Sequence, residues 1–168
     1  MSAADEYLKN NEGYALTHAG GLPVEPSRHA AVVACMDSRM KIFPMLGMRD
    51  GEAHVIRNAG GAVTDDVIRS LAISQRLLGT REIILIHHTD CGLQKTTEDE
   101  FKGAVEADTG IRPPWAVEAF TDAAADVRQS IGRLAASPFI PHKHAIRGFV
   151  FDVSTGKLNE VTEAAGRR

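Results

Sequence analysis

Four short apolar runs, rich in β-branched residues and bounded by turn residues, set the strongest constraint on how this chain folds. They are residues 30–34 (AAVVA), 53–56 (AHVI), 83–87 (IILIH) and 148–153 (GFVFDV). Runs of this length and composition read as strands buried on both faces, as in a parallel sheet covered on each side. Between the second and third, residues 64–78 carry apolar side chains at 67, 68, 71, 73, 77 and 78, which is helical spacing. Thr64 is placed as its N-cap with two acids in the first turn, and Gly79 stops it. A second helix is expected over 115–136, opened by Pro113-Pro114 and closed before Ser137-Pro138. Strands alternating with helices predict an α/β fold with a parallel sheet. The tail, Ser154-Thr155-Gly156-Lys157 followed by LNEV, reads as a hairpin that adds a short antiparallel edge strand.

The length of 168 residues suits one domain, residues 1–168. Within residues 1–20, positions 3–17 form a helix whose apolar face is thin (Ala4, Tyr7, Leu8, Tyr14, Leu16). Such a helix is expected to dock on a partner subunit. The net charge of −3, with no block of Lys or Arg, argues against a nucleic-acid partner. Arg167 and Arg168 read as a solvated tail. The opening MSAADEYLKNNEG has no basic stretch followed by an apolar one, and no apolar run approaches bilayer-spanning length. A cytoplasmic address is expected by default, with no membrane partner. Only two cysteines are present. In a reducing compartment they are packing hydrophobes or chemically employed, and a structural disulfide is not expected.

Their positions decide between those roles. The first strand runs into Cys35-Met36-Asp37-Ser38-Arg39 and the third into His87-His88-Thr89-Asp90-Cys91-Gly92. Both cysteines follow the carboxyl end of a buried strand, where open α/β sheets place their sites. If the two strands are neighbours, the thiols converge, and the spacing of His88 and Cys91 lets both reach one ion. Two thiolates and an imidazole suit Zn²⁺. The chain has no third cysteine, and the other histidines (18, 29, 54, 142, 144) lie outside any local ligand pattern. The fourth position is therefore expected to hold water, which ionises near neutral pH on the metal. Asp37 would lie beside the metal and take a hydrogen bond from the bound hydroxide. Arg39 would keep Asp37 ionised and oriented through a bidentate pair. In a competing arrangement Asp37 itself becomes the fourth ligand, which the Asp37–Arg39 pair opposes.

Taken singly, these features are unremarkable. A buried Cys usually packs, His-x-x-Cys arises often by chance, and Asp37–Arg39 alone is a turn with a local ion pair. All three at matching strand ends shift the reading to a metal site. His87 competes with His88 as the ligand, but strand alternation turns the two apart and the spacing to Cys91 favours His88. His54 reads as a core or interface histidine, and His142 and His144 as solvated.

The motifs Cys-x-Asp-x-Arg (CMDSR), R-N-A-G (Arg57-Asn58-Ala59-Gly60) and His-x-x-Cys-Gly (HTDCG), in that order, resemble the β-carbonic anhydrases, most of all short actinobacterial members. The likeness runs from about residue 28 to 92, and GFVFDVSTGKL is similar to the family's last strand pair. The resemblance implies a parallel four-stranded sheet with a short antiparallel edge strand and flanking helices. It implies one Zn²⁺ per subunit on Cys35, His88 and Cys91, with Asp37 and Arg39 as the catalytic dyad. It also implies reversible hydration of CO₂ to bicarbonate and a proton, in a homodimer or homotetramer whose N-terminal helix embraces the partner. Two positions depart from the pattern. Val32 stands where bicarbonate-regulated members carry Trp, which speaks against that regulation. Gly61 stands where many members have Asn, an expected change in the pocket floor. The alternatives are hydrolysis of carbonyl sulfide or carbon disulfide at the same site and, more distantly, a non-catalytic zinc-binding or redox-sensing module.

Overall fold

The computed structural model describes residues 2–162, so the Arg167-Arg168 tail lies outside the described residues. In chain order the elements are α1 (Ala3–Ala15), β1 (Ala30–Cys35), α2 (Ile42–Leu46), β2 (Ala53–Asn58), α3 (Asp65–Leu77), β3 (Glu82–His88), α4 (Glu98–Thr109), α5 (Ala123–Ala136), β4 (Ile146–Phe151) and β5 (Leu158–Glu160). The strands form one sheet in the order β2-β1-β3-β4-β5. Every pairing is parallel except β4–β5. The predicted α/β architecture and its antiparallel edge are both present.

β1 is buried along its whole length because it lies between β2 and β3 and is covered above and below. On one face, Ala31, Val33, Ile83 and Leu85 pack against Val67 and Leu71 of α3 and Leu134 of α5. On the other, Val32, Ala34 and Ile86 meet Met40, Ile42, Phe120 and Phe151. Full burial of a side chain such as Leu71 contributes about 1.5–3 kcal/mol. α5 comes very close to β4. A Cβ added at Gly148 would lie 2.2 Å from Val127 Cγ1 and 3.0 Å from Ile131 Cδ1. Burial on both faces does not extend to β2, which is an edge strand and half-buried.

α3 starts as predicted, with the Thr64 hydroxyl accepting from the Val67 N–H. The helix expected over 115–136 begins only at Ala123, where the Asp122 carboxylate accepts from the N–H groups of Ala124 and Ala125. The preceding residues are irregular. Glu118 has a left-handed backbone (φ 59°), and Val117 and Phe120 are buried from this loop. Their apolar character therefore reflects loop packing, which mimics helical periodicity. α4 was not expected because none of its residues is buried and no apolar stripe marks it. Its signal was the capping box of Thr97 and Glu100. α2 is a short turn that contains Pro44 and carries no periodic pattern either.

Candidate metal centre

Cys35 and His88 are the last residues of two neighbouring parallel strands, in a register that pairs Ala34 with Ile86. Beyond His88 the chain turns through Asp90, whose backbone is left-handed (φ 54°), and delivers Cys91 back towards the strand end. The Gln94 side chain fixes that turn, accepting from the Cys91 N–H and donating to the Thr121 carbonyl. On the β1 side, Arg57 donates to the carbonyls of Cys35 and Asp37, at distances between 2.7 and 2.9 Å. Gly61 allows the ends of β1 and β3 to be approached from beneath. A Cβ there would lie 2.9 Å from the Cys35 nitrogen and 3.1 Å from the Ile86 carbonyl oxygen, at φ 72°. The position is thus one of close backbone packing.

One donor atom each from Cys35, His88 and Cys91 lie within 4.8 Å of one another, and all three residues are buried. His88 Nδ1 is 2.9 Å from the Thr89 carbonyl oxygen. A carbonyl only accepts, so Nδ1 carries the hydrogen and Nε2 carries the lone pair. Nε2 is buried and has no hydrogen-bond partner. An unpartnered buried nitrogen facing two thiols is a costly arrangement for a packed core and an apt one for a cation. The thiols are inequivalent. The neighbouring Cys91 thiol holds the Cys35 thiol well below its ordinary range, against the opposing effect of burial. The same contact, with burial, pushes Cys91 up. Two sulfurs this close ionise together only with a positive charge between them, so the donor set fits a metal ion.

Asp37 and Arg39 lie beside the cluster and pair with each other. Arg39 binds the Asp37 carboxylate through Nε at 3.0 Å and through its terminal nitrogen at 2.7 Å. This guanidinium holds the Asp37 carboxyl well below the usual carboxylate range. Asp37 Oδ2 is 3.7 Å from His88 Nε2, beside the donor cluster and engaged by Arg39.

The remaining histidines are employed elsewhere. His87, fully buried, turns away from the cluster, bonds Asp126 through Nε2 at 2.6 Å and packs on Phe120. His54 Nδ1 meets the Ser74 hydroxyl, in line with a core role. His144 is exposed as expected, but His142 is half-buried because Gln75 bonds both its backbone N–H and its carbonyl. Three residues of the site carried no assigned task in the sequence: Arg57, Gln94 and Asp90. Arg57 lies in the quoted R-N-A-G run and Asp90 in HTDCG, but Arg57 reaches carbonyls 20 and 22 residues away and Asp90 reaches Arg39 across 51, beyond any local pattern.

Two thiols and an imidazole at the carboxyl end of a parallel sheet, with an arginine-bound carboxylate beside them, mark an α/β protein with a site that could hold a metal ion. A family model described as carbonic anhydrase matches residues 30–158. β-Carbonic anhydrase 1 of Mycobacterium tuberculosis is 62% identical over 96% of this chain and 99% of its own length. A carbonic anhydrase structure from Streptococcus mutans superposes with a TM-score of 0.91 at 45% identity, covering 96% of this chain and 99% of that one. A carbon disulfide hydrolase of Saccharolobus solfataricus is 35% identical, over 93% of this chain and 87% of its own length. The chain belongs to the β-carbonic anhydrase family.

Proposed function

We propose that this chain hydrates CO₂ reversibly to bicarbonate and a proton, with one Zn²⁺ per subunit held by Cys35, His88 and Cys91. The observation that carries the reading is the buried, unpartnered Nε2 of His88 facing two thiols, with Asp37 3.7 Å away and bound to Arg39. Zinc held there would supply Lewis acidity, lowering the pKa of water to about 7. Asp37, kept ionised by Arg39, offers an acceptor oxygen next to the donor cluster and orients the attacking solvent by taking one hydrogen bond from it. Arg57 and Gln94 hold the two loops that carry the donors at a fixed separation.

A second reading, hydrolysis of carbon disulfide or carbonyl sulfide on the same site, draws on the carbon disulfide hydrolase relative. The 62% identity to a carbonic anhydrase against 35% to that hydrolase ranks CO₂ first. A purely zinc-binding or redox module leaves the Asp37–Arg39 pair without a task. Zinc analysis and stopped-flow turnover of CO₂ and carbonyl sulfide on one preparation decide among the three. Zinc near one per chain with CO₂ preferred supports the reading, and zinc-free protein at full turnover removes it.

The assembly we propose is a homodimer, able to pair further into a tetramer. α1 buries none of its residues, and Tyr7, Leu8 and Tyr14 remain more than half exposed. A 13-residue helix is marginal alone in water and gains stability by laying its apolar face on a partner. Both cysteines are free, and no helix among the described residues is long and apolar enough to cross a membrane. These features are compatible with the proposed cytoplasmic address.

A further inference from the structure

The Asp37–Arg39 pair has a third member. Arg39 reaches back from the CMDSR loop to Asp37 and forward, across 51 residues, to the HTDCG loop. There its NH1 donates to Asp90 Oδ2 at 2.9 Å, and its NH2 donates to the Asp90 carbonyl oxygen at 3.0 Å. The left-handed backbone at Asp90 turns carboxylate and carbonyl to the same guanidinium, and Asp tolerates this conformation better than most residues. Asp90 Oδ1 is in turn bound by Lys95 at 2.8 Å. The resulting chain Lys95–Asp90–Arg39–Asp37 ends 3.7 Å from His88 Nε2.

Arg39 is 46% exposed, and an isolated ion pair at that exposure is weak. Alone it competes poorly with a divalent cation for the Asp37 carboxylate. Asp90 changes that competition, because a guanidinium anchored on both edges has no freedom to rotate away. We propose that Asp90 is a positioning residue that holds Arg39 so that Asp37 stays paired to it, instead of swinging onto the metal and closing its fourth position. This inference rests on the zinc reading above.

The test uses the full-length protein with Co²⁺ in place of Zn²⁺ and azide as the probe, read in the visible absorption spectrum. Asp90→Gly removes the carboxylate, keeps the backbone carbonyl and relieves the positive φ, so folding is not the variable. It is expected to weaken azide binding at least tenfold and to lower kcat/KM for CO₂ by a similar factor at unchanged metal content. Loss of a negative charge near the site would by itself tighten anion binding, so the sign separates positioning from charge. Asp90→Asn keeps an acceptor for NH1 and is expected within about threefold of wild type, as is Lys95→Ala. Asp90→Gly combined with Asp37→Ala should restore azide binding, because no carboxylate remains to close the site. Wild-type azide affinity in Asp90→Gly, or a double variant as weak as the single one, would overturn the inference alone. A wild-type protein that takes up no Co²⁺ would overturn the zinc reading and this inference with it.

Discussion

Cys35 ends β1 and Asp37 follows two residues later, yet their replacement should fail in different ways. Cys35→Ser removes a donor from the buried cluster, and zinc content and CO₂ turnover are expected to fall together. Asp37→Ala leaves all three donors in place, so zinc near one per chain should persist while turnover drops by a factor of 10² or more, the usual range for an oriented acid–base group. Elemental analysis beside stopped-flow assay separates the two, and full turnover in Asp37→Ala would remove the role given to that carboxylate. Gly61 is a different kind of residue. A Cβ there meets the Cys35 nitrogen at 2.9 Å in a left-handed backbone. Gly61→Ala is expected to destabilise by about 2–4 kcal/mol, read by denaturant midpoint, from strain and overpacking together. The donors and the dyad were legible in the sequence because they recur at short spacings after apolar runs. Asp90 was not, since its bond to Arg39 crosses 51 residues.

At the scale of elements, strands and the well-capped α3 were readable because burial writes period 2 or 3.6 into the sequence. α4 writes no such period, having no buried residue. The stretch before Ala123 imitates one, because Val117 and Phe120 pack from a loop. Gly148 reports the contact of α5 with β4 in a way periodicity cannot. With Val127 Cγ1 2.2 Å from a modest added Cβ, Gly148→Ala should cost about 1–3 kcal/mol by pushing helix from strand. Thermal unfolding measures it, and a variant as stable as wild type would mean that α5 shifts freely.

For the whole molecule, the unburied α1 is the feature that one copy leaves unexplained. Deleting residues 1–20 is expected to shift the protein towards monomer in light scattering, with the sheet intact by circular dichroism. An unchanged dimer would show that contacts other than α1 hold the copies together. The sequence by itself determined the chemistry on offer: two thiols, an imidazole and an arginine–carboxylate pair at the ends of strands, on a chain patterned for a parallel α/β sheet. These are local properties, set by residue type and short-range spacing. Tertiary structure alone decided that β1 and β3 are neighbours, so that Cys35, His88 and Cys91 meet, and that Asp90 grips Arg39 from a second loop. Periodicity records which face of an element is buried and carries no record of which distant element covers it.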